Sequence, residues 1–376
     1  MSGENFNLIK KHVELVDFIK SLILPIEWAP IVNVSMKRRY EVFSAFMFIM
    51  MVLVGEIVCF YVLYLSLFHA GIIGKLLSIA YLTFMLSDLK ADETGIRGQG
   101  SDWVRSWSWW RHFADYFPAE LVKTVDLPPT KNYLFACFPH GVISCGLFAN
   151  FATNATGFHE KFPGIRSKLC TLSFHFYVPF FRELVLSWGL MSPKYKTIKH
   201  ALSQSTNKLA ICNEDGYTSN GVALVVGGAQ EALYSRPGNY QIHIKNRKGF
   251  VKIAIETGAS LVPVFSFGEV DVYDSPNNEP GSRLRKFQEK YKEWTGVAPA
   301  IFIGRGFFQY SFGLIPRRSP IHTVIGSPIA VKKNESPTSK EINSIHTEFM
   351  HEVEKLFENH KHKYIQNSDN VKLIMV

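Results

Sequence analysis

A histidine that follows a short apolar run is the residue of this chain best suited to proton transfer. The run Tyr133–Phe138 predicts a buried strand, and Pro139, His140 and Gly141 come directly after it. Pro139 removes a backbone donor and Gly141 permits a positive φ, so we expect His140 to lie on a sharp bend. Ligands bind at such strand ends, where a neutral imidazole can accept a proton near neutral pH. The alternative is a capping or core histidine in an ordinary turn.

A second apolar run ends in two glycines and a carboxylate. Val222–Val226 predicts a strand, and Gly227, Gly228 and Glu231 follow it. The glycines free backbone N–H groups for an oxyanion or a phosphate, or they let another segment approach closely. Glu231 would then lie at a strand end, although a glutamate in the first turn of a helix gives the same pattern.

Cations without neighbouring acids form the third candidate site. Residues 236–252 contain five cations and no Asp or Glu. Arg247 and Lys248 stand at the predicted start of a helix, where positive charge opposes the helix dipole. A bound phosphate would remove that conflict, whereas a solvated basic face is the other interpretation. Arg182, which lies among aromatic residues, is a further candidate.

The elements that must position these residues follow an α/β pattern from residue 131 to about residue 335. The predicted strands are Tyr133–Phe138, Val222–Val226, Gln241–Ile244, Leu261–Phe267 and Ala300–Ile303. The predicted helices are Lys248–Thr257 and Lys340–His360. The polar tail past Lys361 is expected to be loose.

An apolar stretch before this region is long enough to cross a membrane. Residues 42–68 carry one charge, Glu56, and a second apolar run reaches residue 87. A bilayer core takes about 20 apolar residues per helix, so we predict a helical hairpin, or a span with a re-entrant segment. Basic residues flank both ends, which places both in the cytosol. Glu56 is costly in lipid and should face protein or a partner. A buried pair of core helices is the alternative.

Two flanking segments are also suited to a membrane surface. Residues 1–40 contain an amphipathic helical pattern, which an ordinary surface helix would equally explain. Four tryptophans between residues 103 and 110 alternate with Arg and Ser. Such a mixture is typical of the headgroup boundary, and a Trp-rich core patch is the alternative.

Composition narrows the class of partner. The chain has 376 residues and a net charge of +9, which favours an anionic partner such as a membrane surface or a phosphorylated ligand. Nucleic acid is disfavoured because no recognition module is found. The five cysteines form no CxxC pair, which indicates reduced thiols facing the cytosol and argues against a disulfide framework or a zinc site. Neither a G-x-S-x-G elbow nor a P-loop is present.

Taken together, these motifs resemble the type-2 diacylglycerol acyltransferase family, which includes monoacylglycerol and wax-alcohol acyltransferases. The similarity covers about residues 95–360, and the family's membrane hairpin matches residues 42–87. The matching motifs are Trp103-Val-Arg…Trp107, Asp115-Tyr-Phe-Pro118, Asn132-Tyr…Pro139-His-Gly141, Lys161-Phe-Pro-Gly-Ile-Arg166, Pro179-x-x-Arg182-Glu183, Val226-Gly-Gly-Ala-x-Glu231, Asn246-Arg-Lys-Gly-Phe-Val-Lys252, Val262-Pro-x-x-Ser-Phe-Gly-Glu269 and Gly304-Arg-Gly306.

The resemblance implies an acyltransferase-like mixed sheet with flanking helices, preceded by a transmembrane hairpin. It implies acyl transfer from acyl-CoA, a co-substrate, to a glycerolipid hydroxyl in a multi-pass protein of the endoplasmic reticulum membrane and lipid droplets. Diacylglycerol is the expected acceptor, and monoacylglycerol and fatty alcohols are alternatives. No cofactor is expected; membrane lipid is a partner, and a homo-oligomer is left open. The expected domains are 1–40 (cytosolic), 41–89 (hairpin), 90–130 (interfacial), 131–362 (catalytic) and 363–376 (tail).

This chain departs from the family pattern at two positions. Many animal members have His-Pro-His-Gly, and here the first position is Phe138. Related lysophospholipid acyltransferases have an Asp five residues after the histidine, and here that position is Cys145. Residues 207–220 also look inserted. A weakly catalytic lipid-droplet or membrane scaffold, for which Phe138 is the support, is therefore the competing hypothesis.

The resemblance and the motifs give each candidate residue a role. His140 is predicted to be the general base and Glu231 to hold the imidazole and balance its charge. Backbone N–H groups near Gly141 or Gly227–Gly228 would hold the oxyanion. Arg182, Arg247 and Lys248 would meet the phosphates of CoA.

Overall fold

The computed structural model describes residues 26–30, 32–89, 91, 99–204, 216–276, 281–296 and 298–376. The amphipathic pattern predicted within residues 1–40 lies almost wholly outside the described residues, as does most of the segment 207–220.

The strands form a mixed sheet, as the sequence predicts. They are β1 (Glu120–Lys123), β2 (Tyr133–Phe138), β3 (Ile165–Leu169), β4 (Ser219–Val225), β5 (Gln241–Ile242), β6 (Ser260–Phe267), β7 (His322–Ile325) and β8 (Ile374–Met375). The main sheet has the order β1-β7-β6-β2-β4-β3. The strands β6, β2, β4 and β3 run parallel, β7 is antiparallel to β6, and β1 is parallel to β7.

Helices cover both faces of this sheet. The longer ones are α1 (Met36–Phe68), α2 (Gly71–Ser87), α3 (Ser108–Tyr116), α4 (Phe181–Ser187), α5 (Tyr195–Ser203), α6 (Gly249–Thr257), α7 (Arg283–Thr295) and α8 (Ser339–Tyr364). Short helical turns are Asp102–Arg105, Cys145–Leu147, Phe148–Ala152, Phe158–Lys161, Ser173–Tyr177, Ala229–Ala232, Glu269–Asp271 and Ser368–Asn370.

Strand β2 lies at the centre of the molecule and is buried along its whole length. Its alternate side chains enter two different cores because successive residues of a strand point to opposite faces. Phe135 packs in the core that also contains Phe48 of α1, whereas Phe138 packs in the core that contains Phe349 of α8. A strand buried on both faces is apolar at every position, which explains why Tyr133–Phe138 was readable from the sequence.

The sequence located the central strands better than the outer ones. Leu261–Phe267 and Lys340–His360 lie inside β6 and α8. The predicted strand Ala300–Ile303 is wrong: only Ile303 pairs, in an isolated bridge to Asp274. The tail also differs from the loose segment expected, since β8 pairs with β5 and Val376 N–H donates to the Ile242 carbonyl at 2.8 Å.

Helix α1 is 33 residues long and apolar enough to cross a membrane. The shorter helix α2, of 17 residues, follows after a turn and packs back on it, with the hydroxyl of Ser78 donating to that of Ser66 at 2.7 Å. Glu56, in the middle of α1, contacts His175 in the helical turn that follows β3, so this carboxylate faces protein as expected.

The tryptophan segment is divided between surface and core. The side chain of Trp103 is 74% exposed and stacks edge-on against Trp107, which is also exposed. Trp110 is buried and donates its indole N–H to the Val104 carbonyl at 2.9 Å. The interfacial interpretation therefore fits Trp103 and Trp107, and the core alternative fits Trp110, with Trp109 partly buried against the same core.

Candidate active site

Three neighbouring parallel strands bring the candidate residues to one edge of the sheet. The carboxyl end of β2 leads into His140, that of β4 into Gly227 and Glu231, and that of β6 into Glu269. Since β2 lies between β6 and β4, His140 is flanked by one carboxylate from each neighbour. Ligand sites of open α/β sheets lie at this edge.

The imidazole of His140 is held by the chain that follows it. Its Nδ1 lies 3.1 Å from the Gly141 carbonyl oxygen, and the hydroxyl of Ser144 donates to the His140 carbonyl at 2.8 Å. A carbonyl can only accept, so Nδ1 carries the proton and Nε2 keeps its lone pair. Burial lowers the pKa of His140 below its usual 6.5, which keeps the ring neutral at pH 7 and its lone pair able to accept a proton.

Gly141 is required at the bend for two reasons. Its φ is +64°, a left-handed conformation that a side chain would strain. A Cβ there would also lie 2.7 Å from Cγ of Glu269. The bend is thus packed directly on the buried carboxylate of the next strand.

Glu231 binds the backbone of the site rather than the imidazole. One carboxylate oxygen accepts the N–H of His140 and the other accepts the N–H of His243, each at 2.8 Å. Burial raises the pKa of Glu231 to about 7, and the two donors oppose that rise. The structure therefore brings His140 and Glu231 together, but the contact expected between ring and carboxylate is replaced by one between the ring and the Gly141 carbonyl.

The glycines before Glu231 let its side chain fold back. A Cβ on Gly227 would overlap the Glu231 carboxylate, and Gly228 has φ 57° and ψ −154°, which side chains rarely adopt. The sequence predicted either free N–H groups for an anion or the close approach of another segment, and the structure shows a close approach. The group that approaches is the carboxylate itself.

Glu269, the last residue of the motif that begins at Val262, is a functional residue that its sequence pattern did not assign. It is fully buried, and its Oε2 accepts the N–H of Gly146 at 2.8 Å, while Oε1 has no hydrogen-bond partner. Burial raises its pKa to about 8. Its signal in the sequence is similar to that of Glu231, because glycine and then a glutamate follow a buried strand in both cases.

The predicted phosphate ligands occupy different environments. The guanidinium of Arg182 is 1% exposed and donates to the carbonyls of Asp88 and Phe176, so it anchors structure near α2 rather than facing solvent. Arg247 is exposed, and its charge lowers the pKa of Glu231. Lys248 is exposed too and donates to the side chain of Asn343 at 2.8 Å.

The two departures from the family pattern both point into the protein. Phe138 is fully buried beside Phe349, so its side chain lies in a core and not at the sheet edge. Cys145 is also fully buried, and burial raises the pKa of its thiol well above 9.0. Within the described ranges, no His, Cys, Asp and Glu side chains are grouped as metal ligands would be.

This geometry supplies a neutral base with a defined tautomer on a bend that two buried glutamates hold through backbone N–H groups. Such a base can remove a proton from a hydroxyl as that hydroxyl attacks a carbonyl carbon.

Comparisons with a family model and with known proteins agree on one family. A model of the diacylglycerol acyltransferase family matches residues 67–375. The 2-acylglycerol O-acyltransferase 1 of Bos taurus is 43% identical over 91% of this chain and 97% of its own length. The diacylglycerol O-acyltransferase 2 of Dictyostelium discoideum is 42% identical over 88% of this chain and 94% of its own length. The diacylglycerol O-acyltransferase 2 of Homo sapiens is 43% identical over 77% of this chain and 71% of its own length. Among solved structures, the 1-acyl-sn-glycerophosphate acyltransferase of Thermotoga maritima is weakly similar, with a TM-score of 0.35, 12% identity, and coverage of 85% of this chain and 99% of that one.

Proposed function

The chain belongs to the diacylglycerol acyltransferase family, and on that premise we propose that it transfers a fatty acyl group from acyl-CoA to a glycerolipid hydroxyl. The observation that carries the proposal is the His140 imidazole, whose Nε2 lone pair is available at the carboxyl edge of the sheet. A hydroxyl attacks a thioester poorly unless it loses its proton as it attacks, and this base meets that need.

The proposed reaction needs no covalent intermediate with the protein. His140 Nε2 takes the proton of the acceptor hydroxyl as its oxygen bonds to the thioester carbonyl carbon. The carbon–sulfur bond then breaks, and the CoA thiolate leaves with the proton from the imidazolium. A thiolate is a good leaving group, so the proposal includes no cofactor. Glu231 acts by fixing the backbone of His140, and Arg247 and Lys248 are the candidates for the CoA phosphates.

We propose diacylglycerol as the acceptor. The similarity of the chain to a 2-acylglycerol acyltransferase is as high as to diacylglycerol acyltransferases, so monoacylglycerol is the second candidate acceptor. Fatty alcohols are the third.

The proposed location is the endoplasmic reticulum membrane and lipid droplets. Helix α1 would cross or enter the bilayer and α2 would return, leaving both termini in the cytosol. The catalytic edge would lie next to the lipid, because Glu56 of α1 contacts His175, in the turn that follows β3 at the same edge.

The competing scaffold hypothesis depended on Phe138, and the burial of that side chain weakens it. A residue that points into a core beside Phe349 cannot by itself remove a catalytic group from the sheet edge.

An acceptor panel tests the proposal. Microsomes that contain the full chain would receive labelled oleoyl-CoA with diacylglycerol, monoacylglycerol, a fatty alcohol or a lysophospholipid. We expect labelled triacylglycerol above the level of microsomes without the chain. Labelled product from another acceptor alone would revise the acceptor, and no product from any acceptor would favour the scaffold.

A further inference from the structure

The connection between β6 and β7 begins and ends at the catalytic edge of the sheet. It leaves the carboxyl end of β6 at Gly268 and returns to the start of β7 at His322. Since β7 is antiparallel to β6, both ends of this connection lie beside the bend that carries His140. The two ends of this connection are therefore close to the proposed active site.

Part of this connection is a hairpin with an apolar exposed tip. Arg305 and Ile315 pair through two backbone hydrogen bonds of 2.7 and 3.0 Å. Between them, Phe308 is 56% exposed and Phe312 is 42% exposed. A group of large exposed apolar side chains is typical of a surface that binds a membrane or another protein.

The segment before α1 enlarges the same surface. Ala29 N–H donates to the Phe308 carbonyl and Tyr310 N–H donates to the Glu27 carbonyl, both at 2.8 Å. Trp28, which this pairing fixes against the hairpin, is 68% exposed. We call Trp28, Phe307, Phe308, Phe312 and Leu314 the aromatic face.

The aromatic face is continuous with the apolar helix α1. The ring of Phe307 packs edge-on against that of Phe46 on α1, with centroids 5.8 Å apart. Phe43 and Met47, on the same helix, are exposed as well. Phe46 lies near the start of α1, so a surface that packs on it would meet the membrane where α1 enters the lipid.

Positive charge surrounds this junction. Lys37, Arg38 and Arg39 stand at the start of α1, where Lys37 also pairs with Asp115. Arg317 and Arg318 follow the hairpin, and Arg317 pairs with Asp274. Arg318 forms an ion pair with Glu41 of α1, which ties the end of the hairpin to the helix. Aromatic rings next to Lys and Arg are typical of the headgroup layer, where anionic lipids add electrostatic attraction.

We propose that the aromatic face docks on the phospholipid surface of the membrane that α1 enters, and so holds the catalytic edge against that surface. The inference depends on the membrane insertion of α1 and not on the acyl transfer. A bilayer is favoured over a protein partner because the face joins α1 without a break and is bordered by cations.

A fluorescent probe tests this docking in the full chain. Phe308→Cys and Phe312→Cys would each carry an environment-sensitive nitrobenzoxadiazole label in nanodiscs of phosphatidylcholine and phosphatidylserine. Glu354→Cys is the matched control, because Glu354 is exposed on α8, which packs on the opposite face of the sheet from α1. The unsubstituted chain, labelled in the same way, corrects for native cysteines.

We expect both hairpin probes to lose most of their emission when the nanodiscs contain headgroup spin-labelled lipid, while the Glu354 probe keeps its emission. Hairpin probes quenched no more than the control would overturn the proposal. Blue-shifted emission that spin-labelled lipid does not quench would assign the face to a protein instead. No turnover is needed, so the same quenching in the His140→Ala chain separates this result from any failure of the proposed chemistry.

Discussion

The bend that carries His140 lies between two buried glutamates that follow the strands on either side. Glu231 accepts the backbone N–H of His140, and Glu269 packs against Gly141 and accepts the N–H of Gly146. Neither touches the base through its ring, so we interpret both as positioning residues. They fix the two ends of the bend that carries the base.

Single residues were predicted to different extents. His140 was readable because its proline and glycine mark a bend, and Glu231 because two glycines precede it. The hydrogen bond from His140 to Glu231 was not readable, since it joins residues 91 positions apart in the chain. Arg182 was misread because its aromatic neighbours do not indicate that the guanidinium binds backbone carbonyls near α2.

Glu269 makes the stability of the fold depend on pH. Burial raises its pKa from 4.5 to about 8, so between these values the folded chain holds a proton that the unfolded chain has lost. This contribution to stability is present below pH 4.5 and is lost as the pH rises to about 8. Each unit of pKa shift corresponds to about 1.4 kcal/mol.

Glu269→Gln should therefore flatten the dependence of stability on pH. Glutamine does not titrate, and its carbonyl can still accept from Gly146. The melting temperature of the detergent-purified chain would be measured from pH 5 to pH 8.5. We expect the wild type to lose more stability than the variant as pH rises. Equal losses in both proteins would show that Glu269 does not hold its proton in the folded state.

At the scale of elements, Glu231 ties the bend after β2 to the segment after β5. One of its oxygens accepts from His140 and the other from His243, and a glutamine has an acceptor oxygen at only one of these two positions. Glu231→Gln puts an NH₂ group against one of these N–H donors. A buried donor without an acceptor costs about 1–3 kcal/mol, and about 1.4 kcal/mol is a tenfold change in rate.

We expect Glu231→Gln to lower kcat at least roughly tenfold while the KM for acyl-CoA changes little. The matched control is Glu256→Gln. Glu256 is a buried glutamate of α6 that pairs with Lys199, on the face of the sheet that α8 covers. The kcat of Glu256→Gln should stay near that of the wild type. A near-normal kcat for Glu231→Gln would remove the positioning role.

The central strands were predictable and the edge strands were not. β2 and β6 are continuous apolar runs because helices cover both of their faces. In β3 the residues Arg166 and Lys168 interrupt the apolar pattern, and β1 has four residues with charges at both ends. Such strands are defined by the neighbours they pair with, and those neighbours are distant in sequence.

At the scale of the whole molecule, the apolar helix, the aromatic face and the catalytic edge are joined. Glu56 of α1 contacts His175 after β3, and Phe46 of α1 packs on Phe307 after β6. The apolar length of α1 was evident from the sequence. These two contacts with the catalytic region were not, because they connect residues far apart in the chain. They join α1 to segments that follow β3 and β6, two of the strands whose carboxyl ends lie at the edge of the sheet that carries the proposed site.

The kcat of His140→Ala tests the central claim most directly, in the acyl-transfer assay with diacylglycerol and labelled acyl-CoA. His351→Ala, an exposed histidine on α8, is the control for the loss of an imidazole. We predict that kcat falls by about 10²–10⁴-fold for His140→Ala, the usual contribution of a positioned base. The melting temperature and the control activity should remain near the wild type. A kcat for folded His140→Ala within a factor of about two of the wild type would contradict the account, because no positioned base contributes so little.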